Sequence, residues 1–186
     1  GAPALSGGRT LIAYVHDDPD DPAGRGTEII ALTNTGSGWS APVALTADAQ
    51  PDYAPAVAFD GSDNGVVIWE RSTLAAGVTP TLDAAFAQSL EISARAWNGS
   101  TWTAPVALTD NSLMDHAPQL AAGADGTTMA LWQTNDGTDI LGTAAHPVTL
   151  TTALWDGASW SGVTPAVTDL QEIGRASCRE RVCHRV

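Results

Sequence analysis

The stretch Trp39-Ser-Ala-Pro-Val-Ala-Leu-Thr46 recurs almost unchanged as Trp102-Thr-Ala-Pro-Val-Ala-Leu-Thr109. A looser third copy runs from Trp160 through Ser161, Pro165 and Val167 to Thr168. Self-similarity at a period of about 60 residues means that one structural unit is repeated, each unit burying its faces against its neighbours. The copies divide the chain into units at 1–46, 47–109 and 110–171.

Each unit reads as four short strands. In the second, Pro55–Phe59 is followed by the turn Asp60-Gly-Ser-Asp-Asn-Gly65 and the strand Val66–Glu70; the third matches it with Pro118–Ala121, Gly123–Gly126 and Met129–Trp132. The first gives Pro3–Leu5, a Gly7-Gly8 turn and Leu11–Tyr14. A connection of drifting length follows, at His16–Gly26, Ser72–Leu90 and Thr134–Val148. The third strand then runs through Glu28–Thr33, Glu91–Trp97 and Thr149–Trp155 into a tight turn, with Asn98-Gly99 and Asp156-Gly157 supplying the geometry a hairpin needs. Four antiparallel strands per unit is the plan of a β-propeller blade. The expected fold is therefore all-β, three blades of an incomplete, open propeller whose remaining blades belong to the parent chain.

Composition narrows the function classes. Trp is over-used, seven against two Tyr and two Phe, and its repeated placement marks it as core between blades. The net charge is −13 and all eight cationic side chains are Arg, which excludes nucleic acid as a partner because phosphate binding needs a cationic surface. No apolar run is long enough to span a membrane. From Glu172 onward the composition turns Arg-rich and the repeat stops; this tail resembles a translated sequencing adapter, is expected to be disordered, and is set aside with Cys178, Cys183 and His184.

The meander places the variable loops and the blade-to-blade connections on one rim, which is where function collects in repeat folds. Most of the acid falls there. Asp52-Tyr-Ala-Pro55 and Asp115-His-Ala-Pro118 occupy equivalent positions before the first strands of their blades. Their carboxylates are expected to cap the turn by accepting backbone N–H groups, with a ligand role as the alternative. Tyr53 and His116 take the next position, and Glu70 and Arg71 end the second strand on the same rim, so all six are candidate ligand-binding residues. Asp17, Asp18, Asp20 and Asp21 crowd four carboxylates into five positions, and Asp136 and Asp139 flank a Gly. Either loop could hold a hard cation such as calcium through oxygen ligands, and either could be a solvated acidic loop. Asp60, Ser62 and Asp63 form a third such group.

A G-x-x-W pattern stands at the last hairpin of every unit, Gly36–Trp39, Gly99–Trp102 and Gly157–Trp160. In this the chain resembles the sialidase-like propellers, whose Asp box, S-x-D-x-G-x-x-W, lies at that turn. The Asp-box aspartate position holds Asn34, Trp97 and Trp155 here. The resemblance implies the blade plan. It also implies, for an enzyme of that group, three substrate-binding arginines, a Tyr/Glu nucleophile pair and an Asp acid, whereas only Arg9, Arg25, Arg71 and Arg95 precede the tail. The leading expectation is a non-catalytic segment of a secreted or cell-surface bacterial protein, binding carbohydrate or another extracellular protein through its acidic rim. The alternatives are part of a sialidase-like glycoside hydrolase, with Glu70 and Arg71 the first suspects, and a calcium-dependent binding module.

Overall fold

The computed structural model describes residues 1–17, 26–75, 78, 83–139 and 141–170. The tail lies outside the described residues. The chain forms three four-stranded antiparallel sheets, each a blade in simple meander order. The first contains β1 (Ala2–Ser6), β2 (Arg9–Asp17), β3 (Thr27–Asn34) and β4 (Val43–Ala44); the second β5 (Asp52–Phe59), β6 (Gly65–Ser72), β7 (Leu90–Trp97) and β8 (Val106–Ala107); the third β9 (Met114–Ala122), β10 (Thr128–Asn135), β11 (Val148–Trp155) and β12 (Thr164–Leu170). One turn of helix, α1 (Ala84–Ala87), sits in the β6–β7 connection, where no multi-turn apolar period announces it. Asp83 caps it by accepting the Phe86 N–H.

The copied motif turns out to be a clasp more than a strand. In the two close copies only Val43–Ala44 and Val106–Ala107 pair as β-structure, whereas the looser third copy runs into the longer β12. The hydroxyl after each Trp accepts a backbone N–H of the third strand: Ser40 from Thr33 at 3.1 Å, Thr103 from Ala96 at 3.0 Å and Ser161 from Leu154 at 2.9 Å. At the far end Thr46 and Thr109 accept from Ile29 and Ile92, each at 2.8 Å. Two hydroxyls thus fasten a segment whose Pro can donate nothing. The hairpin before it recurs in all three blades, one residue longer in the first. Gly36, Gly99 and Gly157 stand at φ +96°, +94° and +97°, which favours glycine, and Asn34, Asn98 and Asp156 accept the N–H groups of the turn.

Blades meet in two seams. Leu11, Ala13, Ile29, Ala31 and Leu45 of the first pack on Phe59, Val67, Trp69 and Trp97 of the second. Ile68, Ile92 and Ala94 of the second pack on Ala130, Trp132 and Ala153 of the third, and Val66 and Ala96 pack on Trp155. Each fully buried Trp removes about 150–250 Å² from water, roughly 4–6 kcal/mol at ~25 cal/mol/Å². Contacts of β1 with β5 and of β5 with β9 place the first strands of successive blades side by side, as the inner strands of a propeller must lie. Trp39 departs from the core expectation, being 50% exposed. Trp102 and Trp160 lean on Trp97 and Trp155, with ring centroids 6.4 and 5.5 Å apart, whereas Trp39 stands opposite Asn34, the position at which the other blades carry a Trp.

The hairpin rim is knitted across blades. Asp60 closes its own turn by accepting from Ser62 and Asn64 and also accepts the Trp155 indole at 3.2 Å, while Asp63 accepts from Ser6 at 2.5 Å. Those bonds hold the Asp60 carboxyl below its ordinary pKa although burial acts the other way. Gly61 passes so close to Gly126 that a Cβ on Gly61 would stand 2.4 Å from the Gly126 Cα. Gly61→Ala is therefore expected to lower stability by about 1–3 kcal/mol in urea unfolding. Gly162→Ala, in open space, is the control and should stay within about 0.5 kcal/mol of the parent.

Candidate functional site

The loop rim is built from β-bulges at Asp52-Tyr-Ala-Pro55 and Asp115-His-Ala-Pro118. In both blades the register between first and second strands shifts there, and Ala54 and Ala117 adopt φ +46° and +55°. A left-handed alanine costs roughly 1–2 kcal/mol, so each bulge is a strained feature held by its surroundings. Part of that hold is visible at Ala117, whose N–H donates to Glu70 Oε1 of the preceding blade at 2.7 Å.

Asp52 and Asp115 do not stand as caps on the surface. They are 0% and 1% exposed, and each accepts the indole N–H of the Trp on the neighbouring strand, Asp52 from Trp69 at 2.7 Å and Asp115 from Trp132 at 2.9 Å. Asp115 also accepts from the Thr134 hydroxyl and, at 2.9 Å, from the Asn111 side-chain amide. Behind each lies a glutamate that the sequence reading passed over. Glu28 accepts the Asp48 N–H at 2.9 Å and Glu91 the Asn111 N–H at 2.7 Å. Their signal was present, since both stand at the same place in the third strand.

The two seams differ in charge. Arg71 lies between Asp48, at 2.7 Å, and Asp52, at 3.6 Å, and bonds Gln50 at 2.6 Å. In the next blade Thr134 takes its place and no cation replaces it. Burial pushes the Asp52 carboxyl up to about 7, with Arg71, Thr46 and Trp69 opposing and Glu28 adding to the rise. Burial likewise lifts Glu91 to about 7 against bonds from Thr109 and Asn111, helped by the charges of Asp115 and Asp110. Glu28 and Glu70 are raised by burial too. Burial also lowers His116, whose Nε2 has no partner among the described residues.

Tyr53 lies edge-on to Phe86, ring centroids 6.1 Å apart, over a cluster of Ala87, Leu90 and Met114. Beside them a cleft of about 460 Å³ opens between α1 and Gly137–Thr138 of the third blade. Phe86 and Met114 carried no sequence signal, because the first sits in a connection that the repeat does not copy. The loop opposite is braced by Asp136, which pairs with His146 at 2.5 Å, and by Asp139, which accepts the Leu141 N–H, and it is tied to the second blade where Gln88, at the end of α1, donates to the Asp136 carbonyl at 2.8 Å. Asp17 is exposed at the end of β2, and Asp18, Asp20 and Asp21 lie outside the described residues. Among the described residues no three acidic, His or Cys side chains converge as a metal site would need. A second cleft of about 450 Å³ lies in the outer seam between Ala94, Val106, Trp155 and Trp160, with no carboxylate or His on its wall.

Solved structures share this fold. An ulvan lyase bound to a glucuronate–rhamnose sulfate saccharide superposes with TM-score 0.58 at 11% identity, over 91% of this chain and 44% of the lyase. Trypanosoma rangeli sialidase gives TM-score 0.56 at 11%, over 92% and 30%, and Penicillium chrysogenum α-L-arabinanase with arabinobiose gives 0.50 at 13%, over 86% and 45%. The likeness establishes the propeller blade fold. The chain spans about half or less of the length of the structures it matches. No family model and no curated protein matches the sequence.

The seam acids make stability depend on pH. Both Asp52 and Glu91 titrate above their unfolded values of 3.8 and 4.5, so the folded state keeps protons the unfolded chain releases. Their contribution is complete below those values and is lost as pH rises through about 7. The melting temperature is expected to fall between about pH 5 and about pH 8, and Asp52→Asn with Glu91→Gln should flatten that fall.

Proposed function

We propose that the chain is a non-catalytic β-propeller segment of a secreted or cell-surface protein, and that it binds a saccharide on its loop rim. One observation carries the reading: Asp52, Asp115 and Glu70 on the rim each accept a hydrogen bond from within the protein, while the cleft beside half-exposed Phe86 stays open. A glycosidase needs two carboxyl groups about 5–10 Å apart flanking the scissile bond. Here Asp52 and Asp115 are sealed under indoles, Glu70 holds a backbone N–H, and Arg71 is committed to Asp48 and Gln50. The cleft, by contrast, has a volume typical of small-ligand sites, with an aromatic ring for the C–H face of a sugar and polar groups at its edge from Asp83 and Thr138.

The solved neighbours of like fold include proteins described with arabinobiose and with a sulfated uronate saccharide, which supports a glycan as the ligand class. The acidic rim favours a neutral glycan over a sialylated, uronate or sulfated one, since no free rim cation among the described residues would meet an anion. The sialidase-like hydrolase is the second reading, and it rests on the neighbours' fold alone.

Glycan-array binding followed by calorimetry tests this. Neutral saccharides should bind, and Phe86→Ala should weaken them about tenfold, the equivalent of about 1.4 kcal/mol. Trp160→Ala, in the outer cleft, should leave binding unchanged. Loss of binding with Trp160→Ala and not with Phe86→Ala would move the site to the outer seam, and turnover of a sialoside or arabinoside substrate would favour the hydrolase.

A further inference from the structure

The two seams treat one repeated tryptophan differently. Trp97 and Trp155 are equivalent, each ending the third strand of its blade and packing on the blade before it. Over Trp97 stands a cation. The Arg9 guanidinium of the first blade lies 5.8 Å from the ring centroid, fixed by its bond to the Asp63 carbonyl at 2.9 Å. Thr10 pairs with Asn34 as Gly65 pairs with Trp97, so Asn64 holds the Arg9 position in the second blade. Asn64 turns back into its own hairpin, donating to Asp60 Oδ2 at 3.0 Å, and among the described residues no guanidinium stands over Trp155. A small cleft of about 140 Å³ opens there between Asn64, Asn98 and Trp155. It shares Ala96, Thr103 and Trp155 with the outer cleft of about 450 Å³, so the two are continuous.

We propose that this double cleft takes an arginine side chain from a partner protein, its guanidinium against Trp155 and Trp160 and its alkyl stem along Ala94, Ala96 and Val106. The second seam would then receive from a partner what Arg9 supplies to the first. The walls suit that ligand: the Trp155 and Trp160 rings stand 5.5 Å apart at 50°, and an indole face is the strongest side-chain partner for a guanidinium, which stacks on it as a planar group. The local field is negative. Asp60 Oδ2 lies 3.2 Å from the Trp155 indole nitrogen, Asp156 is exposed on the turn that carries Ala158 and Ser159 of the wall, and the chain has a net charge of −13. Arg95 does not oppose a cation there, because alternation along β7 turns it away from Ala94 and Ala96. It donates to the Leu45 carbonyl of the first blade at 2.7 Å and to the Thr103 carbonyl at 2.6 Å. The site is separate from the cleft beside Phe86 and does not depend on saccharide binding at the rim.

Titration of the full chain with acetyl-arginine-amide, followed at the indole N–H resonances, tests the proposal. Trp155 and Trp160 should shift saturably while half-exposed Trp39 stays still. Acetyl-citrulline-amide, neutral and of nearly the same shape, should bind at least about tenfold more weakly. Asn64→Arg puts a guanidinium where Arg9 puts one and should fill the site from within, so that the variant, shown to be folded by circular dichroism, no longer responds. Trp160→Ala should weaken binding about tenfold. The proposal is overturned by a parent chain that does not respond, by equal binding of the citrulline compound, by a Trp39 shift as large as those of Trp155 and Trp160, or by undiminished binding to Asn64→Arg. Binding of agmatine without binding of the blocked arginine also overturns it, and assigns the cleft to a free guanidine. Should Asn64→Arg fail to fold, Trp160→Ala decides, and unchanged affinity there contradicts the site.

Discussion

The bond between a buried indole and a buried carboxylate is what the rest of this structure depends on. A Trp sealed in a seam must find a partner for its N–H, and a carboxylate sealed there must find donors. Trp132 with Asp115 answers both needs, and Trp69 gives Asp52 a donor on one oxygen while its other oxygen has no partner among the described residues. Each bond joins first strand to second inside a blade while the neighbouring blade excludes water. Strand pairing and blade stacking are thereby coupled. The cost is borne by the acids: with Glu28 and Glu91 close behind, the seams hold more negative charge than one Arg71 can balance, and burial lifts Asp52 and Glu91 toward neutrality.

The blade plan was legible because the repeat copies local chemistry. Ser or Thr after each Trp, Thr at the end of the motif and Gly in each hairpin are all explained by bonds spanning a few residues to some twenty, and every one recurs. What the sequence did not show was pairing that depends on burial. Asp52 read as a turn cap because Asp often is one, and nothing local revealed that Trp69 would reach it. Trp39 read as core because its motif is core-like, yet its surroundings are set by Asn34, which stands where the other blades place a Trp. Phe86 and α1 fall in a connection that varies from blade to blade, so periodicity had nothing to say about them.

The same division between copied and uncopied residues organises function. The seams repeat and carry stability; the rim differs between blades. The strained alanines at φ +46° and +55° are the meeting point, since the bulges they form present Tyr53 and His116 at matching places while leaving their identities free. One blade pairs its rim residue with an aromatic and an open cleft, and the next braces its loop through Asp136 and His146. Binding through uncopied side chains on a copied scaffold is the economy of a repeat fold.

Hydrogen exchange at the seven indole N–H groups, resolved by NMR, tests the seam most directly. If Trp69 and Trp132 donate to carboxylates that the neighbouring blade seals, their indole protons exchange only when the molecule unfolds, with a denaturant dependence matching global unfolding. Trp39, half exposed, should exchange at close to the solvent rate. Exchange of Trp69 and Trp132 as fast as that of Trp39 would contradict the account.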